Sequence, residues 1–343
     1  MGGGFRAPWF FWGVYLMATG TTVDLNIRNP FLHTALTERL TQFSDAFNAA
    51  SLGAIRLTTA SKIGFAEHET FFTSIAGLIT RRDTTSVAAA PATKLVNVEK
   101  TAIKLDRKIG PVENTISSFN KIGMSTNEMQ VAVGEQAAVA MAVGMLNDGL
   151  GSLVAAIKQN AAAIATVAGP ITTASLVSGM FKLGDRQDRI VCWIMHSFQF
   201  AQLIQNQIAA NINGITSFNI INGTPVTMGR PVIISDSPSL VTANGAGAGN
   251  DYYWAIGLTE GALDLVNSEE ENVLLQIVTG LENLVARIQG EYAYNMGMKG
   301  YTYDLTNGGN NPSAAALTTA GNWDLVVTDY KDGPGVLIRS QTT

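Results

Sequence analysis

Apolar residues along this chain recur in more than one rhythm, and each rhythm marks a different kind of element. In "TALTERLTQFSDAFNAA", residues 34–50, Leu36, Leu40, Phe43 and Phe47 fall three or four positions apart, the spacing of one helix face. The same spacing runs much further after Ser125, through Met129, Val133, Ala137, Ala140 and Val143, then Leu146, Leu150, Leu153 and Ile157. Ser125 and Glu128 form a capping box ahead of it, each side chain serving a backbone N–H that the first helical turn leaves free. A helix from Asn127 to Gln159 is about 50 Å long at 1.5 Å per residue. Gly144, Gly149 and Gly151 are expected to bend it.

Period two appears in "AIRLTT" at 54–59 and in "KLVNVEKTAIKLDRKI" at 94–109. In the second string Lys100, Lys104, Asp106 and Lys108 fall on one side. Thr101, Ile103, Leu105 and Ile109 fall on the other, and Arg107 alone is out of place. The polar, Thr/Ala-rich "TRRDTTSVAAAPAT" lies between the two strings. Together they predict a two-stranded arm over 54–109 with little core of its own. An isolated hairpin is marginal in water, so the arm must lean on another body.

Further along, a short helix is expected at 173–183. A strand at "RIVCWIM", a helix from about Ser197 to Ala210 and a buried strand at "RPVIISD", 230–236, follow it. "ANGAGAGND" reads as a loop. From Tyr252 the chain is mostly β, in "YYWAIGL", "NVLLQIVTG", "LVARIQGEYAYNMGMKGYTYD" and "GVLIRS", with a brief helix at 313–320. The class is α+β. No internal repeat or linker divides it.

Composition changes the picture in one respect. Hydrophobic residues are 46% of the chain and charged residues 14%, against about 25% charged in an average globular protein. So few charges leave apolar surface for other subunits to cover, and the chain reads as part of a large assembly. The net charge of −5 argues against nucleic-acid binding by the whole surface. Residues 1–172 carry 14 Lys+Arg and 12 Asp+Glu, whereas residues 173–343 carry 8 and 15. Opposite signs suit head-to-tail packing of identical copies, or are an accident of sequence. A lone cysteine forms no internal disulfide. "PWFFWGVYLMA", 8–18, is shorter than the roughly 20 apolar residues of a membrane span, so no membrane partner is expected. "MATGTTVDLNIRNPF" from Met17 reads as an ordinary soluble start, and residues 1–16 are expected to be an upstream extension or unstructured.

Candidate chemistry is sparse. Cys192 and His196 lie four positions apart, but in a strand that is roughly 13 Å, so they cannot bond to each other. Cys192 reads as a small buried group and His196 as a backbone partner at the strand end. His33 and His68 stand in other segments without metal-site spacing. "GAGAGN" is followed by "DYYW", not by the helix that a dinucleotide loop needs. No catalytic, cofactor-binding or metal-binding residue is expected, and no enzyme activity. Glu269, Glu270 and Glu271 are a metal-seeking cluster or a solvated turn. Arg81, Arg82, Lys100, Lys104 and Lys108 make the arm basic. They touch packaged DNA, meet acidic patches such as Glu269–Glu271 on a neighbouring copy, or keep an exposed hairpin soluble.

Several strings, in their order, resemble the major capsid (head) proteins of tailed bacteriophages, with the Hong Kong 97 phage capsid fold. They are "FFTSIAGLITRRDTTS", "KLDRKIGPVENTI", "LGDRQDRIVCWIMHS", "YYWAIGLTEGALDL" and "NWDLVVTDYKDGPGVLI". The resemblance runs from about Leu25 to Gln341. It implies an N-terminal arm and short helix at 17–53, an extended β-hairpin loop at 54–109 and a peripheral domain with a spine helix at 110–164. An axial domain at 165–255 and a β-rich return at 256–343 follow. It also implies pentamers and hexamers of this chain, assembled in the host bacterial cytoplasm into an icosahedral head that encloses double-stranded DNA without sequence-specific binding. A portal protein is an implied partner, and so is a separate scaffolding protein, since only about 50 residues precede the hairpin. An encapsulin-type compartment, which has the same fold, is the alternative. Some relatives join a lysine to an asparagine between subunits; no such pair is matched here.

Overall fold

The computed structural model describes residues 30–59, 64–72, 79, 81–82, 84–89, 92, 94–123, 125–212, 227–243, 251–280 and 282–341. The expected extension at 1–16 and most of the Gly/Ala loop at 243–251 lie outside the described residues.

Helix α1 (Pro30–Ala50) begins four residues earlier than its periodicity predicts. Leu32 and Leu36 are fully buried, and the Phe43 and Phe47 rings stack on one another. Strand β1 (Ile55–Thr59) follows, then β2 (Ala66–Phe72) and β3 (Asn97–Thr115). Here the expected arm is corrected. β1 does not pair with β3; it runs parallel to a later strand, and the hairpin is β2 against β3, from Ala66 opposite Ile103 to Phe72 opposite Asn97.

A short helix α2 (Ile116–Ile122) leads to α3 (Thr126–Lys158), one continuous helix of 33 residues. The Ser125 hydroxyl accepts from the Glu128 N–H, and the Glu128 carboxylate accepts from the Ser125 N–H at 2.8 Å. Two of its glycines allow close approach. A Cβ on Gly134 would lie 2.7 Å from the Leu32 carbonyl oxygen, and one on Gly149 would lie 2.6 Å from the Leu263 side chain. Neighbouring elements therefore press onto the helix backbone where no side chain intervenes.

The remaining elements are β4 (Ile164–Thr166), α4 (Thr173–Phe181), β5 (Ile190–Met195), α5 (Ser197–Ile212), β6 (Val232–Ile234), β7 (Val241–Thr242) and β8 (Tyr252–Thr259). They continue with β9 (Leu263–Val278), β10 (Val285–Met298), β11 (Tyr301–Tyr303), α6 (Leu305–Gly308), α7 (Ala314–Leu317), β12 (Trp323–Leu325) and β13 (Gly335–Gln341). The first sheet has the order β1-β9-β10-β11-β12, with β3 also on β10 and β2 on β3. The second has the order β4-β13-β8-β5-β6, with β7 on β8. β6 is an edge strand, and Ile234 is about half exposed, so the buried strand expected at 230–236 is shorter and shallower.

The second sheet explains the unbroken apolar run of "RIVCWIM". Cys192 and Ile194 point to the face shared with Ile256, Leu258, Leu337 and the α3 residues Leu153 and Ile157. Ile190, Trp193 and Met195 point to the other face, with Ala255, Val336, Ile338, Leu176 of α4 and Leu203 of α5. A strand covered on both sides has no polar face to show. Trp193 lies on Gly257, where a Cβ would come within 2.6 Å of its ring.

Candidate assembly surfaces

The base of the hairpin is anchored and its outer part is not. β3 pairs with β10 from Ile103 to Thr115, and Ile103 and Leu105 are fully buried. Outward from there apolar side chains meet solvent: Phe72 is 64% exposed, Ile79 95%, and Val87 fully. Leu95 and Val96 are also exposed.

The charged residues singled out above take several roles. Lys104 is buried and ion-pairs with Glu269 of its own chain. Lys100 lies opposite Glu69 in the hairpin register, with 3.9 Å between charged atoms. Lys108 is exposed, opposite Glu291 in register. Arg81 and Arg82 are exposed and make no ion pair among the described residues. Glu269, Glu270 and Glu271 do not form a turn; they lie within β9, where its register with β10 shifts twice. A bulge breaks strict alternation, and Glu271 is buried, accepting a hydrogen bond from Asn267 Nδ2. The described residues contain no group of three His, Cys, Asp or Glu able to hold a metal ion.

The misplaced Arg107 proves to be a structural tie. Its Nη2 donates to Asp148 Oδ2 at 2.9 Å and to the Pro312 carbonyl at 3.2 Å, and Tyr294 donates to the same Asp148 oxygen at 2.6 Å. Burial, then the nearby Asp148 carboxylate, pushes the Tyr294 phenol far above its ordinary range, so it remains a donor. The contact ties β3, α3 and β10 at one point. The sequence signal was present: a lone charge on an apolar face needs a buried partner.

Cys192 is fully buried, and burial pushes its thiol up to about 12, so it is no nucleophile at neutral pH. His196 Nδ1 accepts from the Phe198 N–H at 3.2 Å, the backbone role expected of it. Asp332 receives hydrogen bonds from Arg186 and, at 2.7 Å, from Arg189. Of the described helices, α3 is long and apolar enough to cross a membrane, and 67% of its apolar window is buried inside the subunit.

The outer hairpin leaves apolar surface uncovered on an α+β body. The family model for major capsid protein 13-like proteins matches residues 24–337. The chain belongs to that family. It is a phage major capsid protein, a structural and non-enzymatic component of the virion that assembles with its own copies into the head shell. A structure from Microbacterium phage Oxtober96 is similar to this capsid protein at TM-score 0.52 and 13% identity, over 86% of this chain and 91% of that one. One from Mycobacterium phage Adephagia is similar at 0.50 and 10%, over 86% and 90%. The cyanophage Pam1 capsid asymmetric unit is similar at 0.50 and 11%, over 83% and 88%. At these identities the likeness speaks for the fold alone. No curated protein matches the chain by sequence.

Proposed function

We propose that this capsid protein builds an icosahedral head as a Hong Kong 97-type subunit, in pentamers and hexamers around double-stranded DNA. The peripheral part is the first sheet with α3, and the axial part is the second sheet with α4 and α5. The return at 256–343 serves both, since β9 to β12 lie in one sheet and β13 in the other. A separate scaffolding protein and a portal protein are the partners during assembly in the host cytoplasm.

One observation carries the reading: the outer hairpin presents Phe72, Ile79 and Val87 to solvent with no core of its own. Burying such side chains is worth about 1.5–3 kcal/mol each, and a neighbouring copy is the surface available in a shell. Arg81, Arg82 and Lys108 supply charge for that contact. Lys104 and Glu269 satisfy each other within the subunit.

The test is electron microscopy of purified protein and of a variant in which residues 73–96 are replaced by a short Gly-Ser turn. The native chain should form closed shells, and the shortened one should remain as soluble subunits or capsomers. Normal shell yield from the shortened chain refutes the docking role. Protein cargo in place of DNA inside the native particles would favour the encapsulin-type alternative.

A further inference from the structure

Under α1 lies a cavity of about 190 Å³, walled by α1, β1, β9 and one residue of α3. Its polar lining includes His33, Thr37 and Ser44 from α1, and Asn267 and Glu271 from β9. The hydrogen bonds there leave acceptors without donors.

Thr37 Oγ1 donates to the His33 carbonyl at 2.9 Å, so its proton is committed. Its 3.4 Å contact with His33 Nδ1 is a hydrogen bond when the imidazole proton sits on Nδ1. In that tautomer Nε2 is a bare lone pair, and it is buried without a partner. Asn267 spends Nδ2 on Glu271, and its Oδ1 is likewise buried without a partner. Glu271 itself is 4% exposed and pairs with no cation among the described residues. Buried acceptors left unpaired are costly, and a buried carboxylate without a counter-charge more so. Among the described residues nothing satisfies these groups, and the occupant they suit is a cation rich in donors. A guanidinium fits, since it carries five N–H groups on one flat cation.

We propose that this cavity receives an arm arginine, Arg81 or Arg82, from a second copy of the chain. Both are exposed and lack an ion pair among the described residues, and the shell supplies identical neighbours. The inference rests on the reading that the arm crosses onto a neighbour, and adds the receiving site.

Glu271→Gln keeps the size of the side chain and the bond from Asn267 while removing the charge. It should lower particle yield by about tenfold or more and leave the melting temperature of the unassembled subunit unchanged. The double variant Arg81→Glu/Arg82→Glu should do the same, and adding Glu271→Lys to it should recover assembly. As a second measurement, subunits carrying Ser44→Cys are co-assembled with subunits carrying Arg82→Cys and oxidised. A disulfide joining the two species should form; the native Cys192, fully buried, does not compete. Normal yield from either Glu271→Gln or Arg81→Glu/Arg82→Glu, or particles without the mixed disulfide, would overturn the proposal. If the shortened arm still blocks assembly in that case, the arm reading survives and only its receiving site is lost. If the shortened arm assembles normally, both fall.

Discussion

The second sheet and the hairpin arm are built from similar β-forming residues, yet one is finished within the subunit and the other is not. In the second sheet every step of β5 has a roof: α3 covers Cys192 and Ile194, and α4 and α5 cover Trp193 and Met195. In the hairpin, β3 gains β10 as far out as Ile103; beyond that its strand partner is β2, with one further tie where the Thr101 N–H donates to Thr302 Oγ1 of β11 at 2.8 Å. Strand propensity alone does not separate the two. The difference lies in how many layers the chain folds over each strand. The sheet is covered by the subunit's own helices, whereas the arm keeps exposed the surface that the proposed reading gives to a neighbouring copy.

Substitutions can sharpen that division. Trp193→Ala, in the fully roofed strand, should destabilise the isolated subunit by about 3–5 kcal/mol, measured by denaturant unfolding. Arg107→Ala comes next. It strands the Asp148 carboxylate beneath β3 and should cost about 3 kcal/mol in the same assay, with shell yield falling only as fast as stability does. Ser125→Ala removes the cap of α3 and should cost about 1 kcal/mol, visible as a small fall in melting temperature. Smallest for the subunit is Phe72→Ser in the exposed arm. It should alter subunit stability by less than about 0.5 kcal/mol while visibly lowering shell yield by electron microscopy. If Phe72→Ser destabilised the subunit as much as Trp193→Ala does, the arm would belong to the folded core and the division would be lost.

Acid offers a milder probe of the far edge. Hydrogen bonds from Arg186 hold the Asp332 carboxyl below its ordinary value, with smaller help from Arg189 and against some desolvation. A depressed carboxyl stabilises the fold above its unfolded pKa and loses that contribution as pH falls through the folded value. Subunit stability should therefore decline on acidification below about pH 4, and Asp332→Asn should flatten part of that decline in pH-dependent unfolding.

Much of the fold was legible because its signals are local. The capping box at Ser125 and Glu128 marked the start of α3 to within a residue, since both partners lie inside one turn. "RIVCWIM" announced a strand through its unbroken apolar run. Partnership between distant strands was not legible. β1 was expected in the arm, but its partner is β9, some 200 residues away. Nothing local shows that Leu32 approaches Gly134 of α3 or that Leu263 approaches Gly149. The candidate contacts fared unevenly for the same reason. Lys104 and Glu269 were each visible as charges, but only the pairing of β3 and β9 across β10 brings them together.

From the linear chain alone came the element types, the long capped helix, the basic arm and, through several strings in order, the resemblance to phage capsid proteins. The element types and the capped helix rest on short-range rules of periodicity and capping, which neighbouring residues enforce among themselves, and the resemblance rests on the strings and their order. The tertiary structure decided which charges are spent inside the subunit and which remain outside. It buried Lys104 and Glu271, half-buried Arg107 against Asp148, and left Arg81 and Arg82 in solvent. Burial is a property of the layers that close over a residue, and those layers come from parts of the chain that local patterning cannot connect.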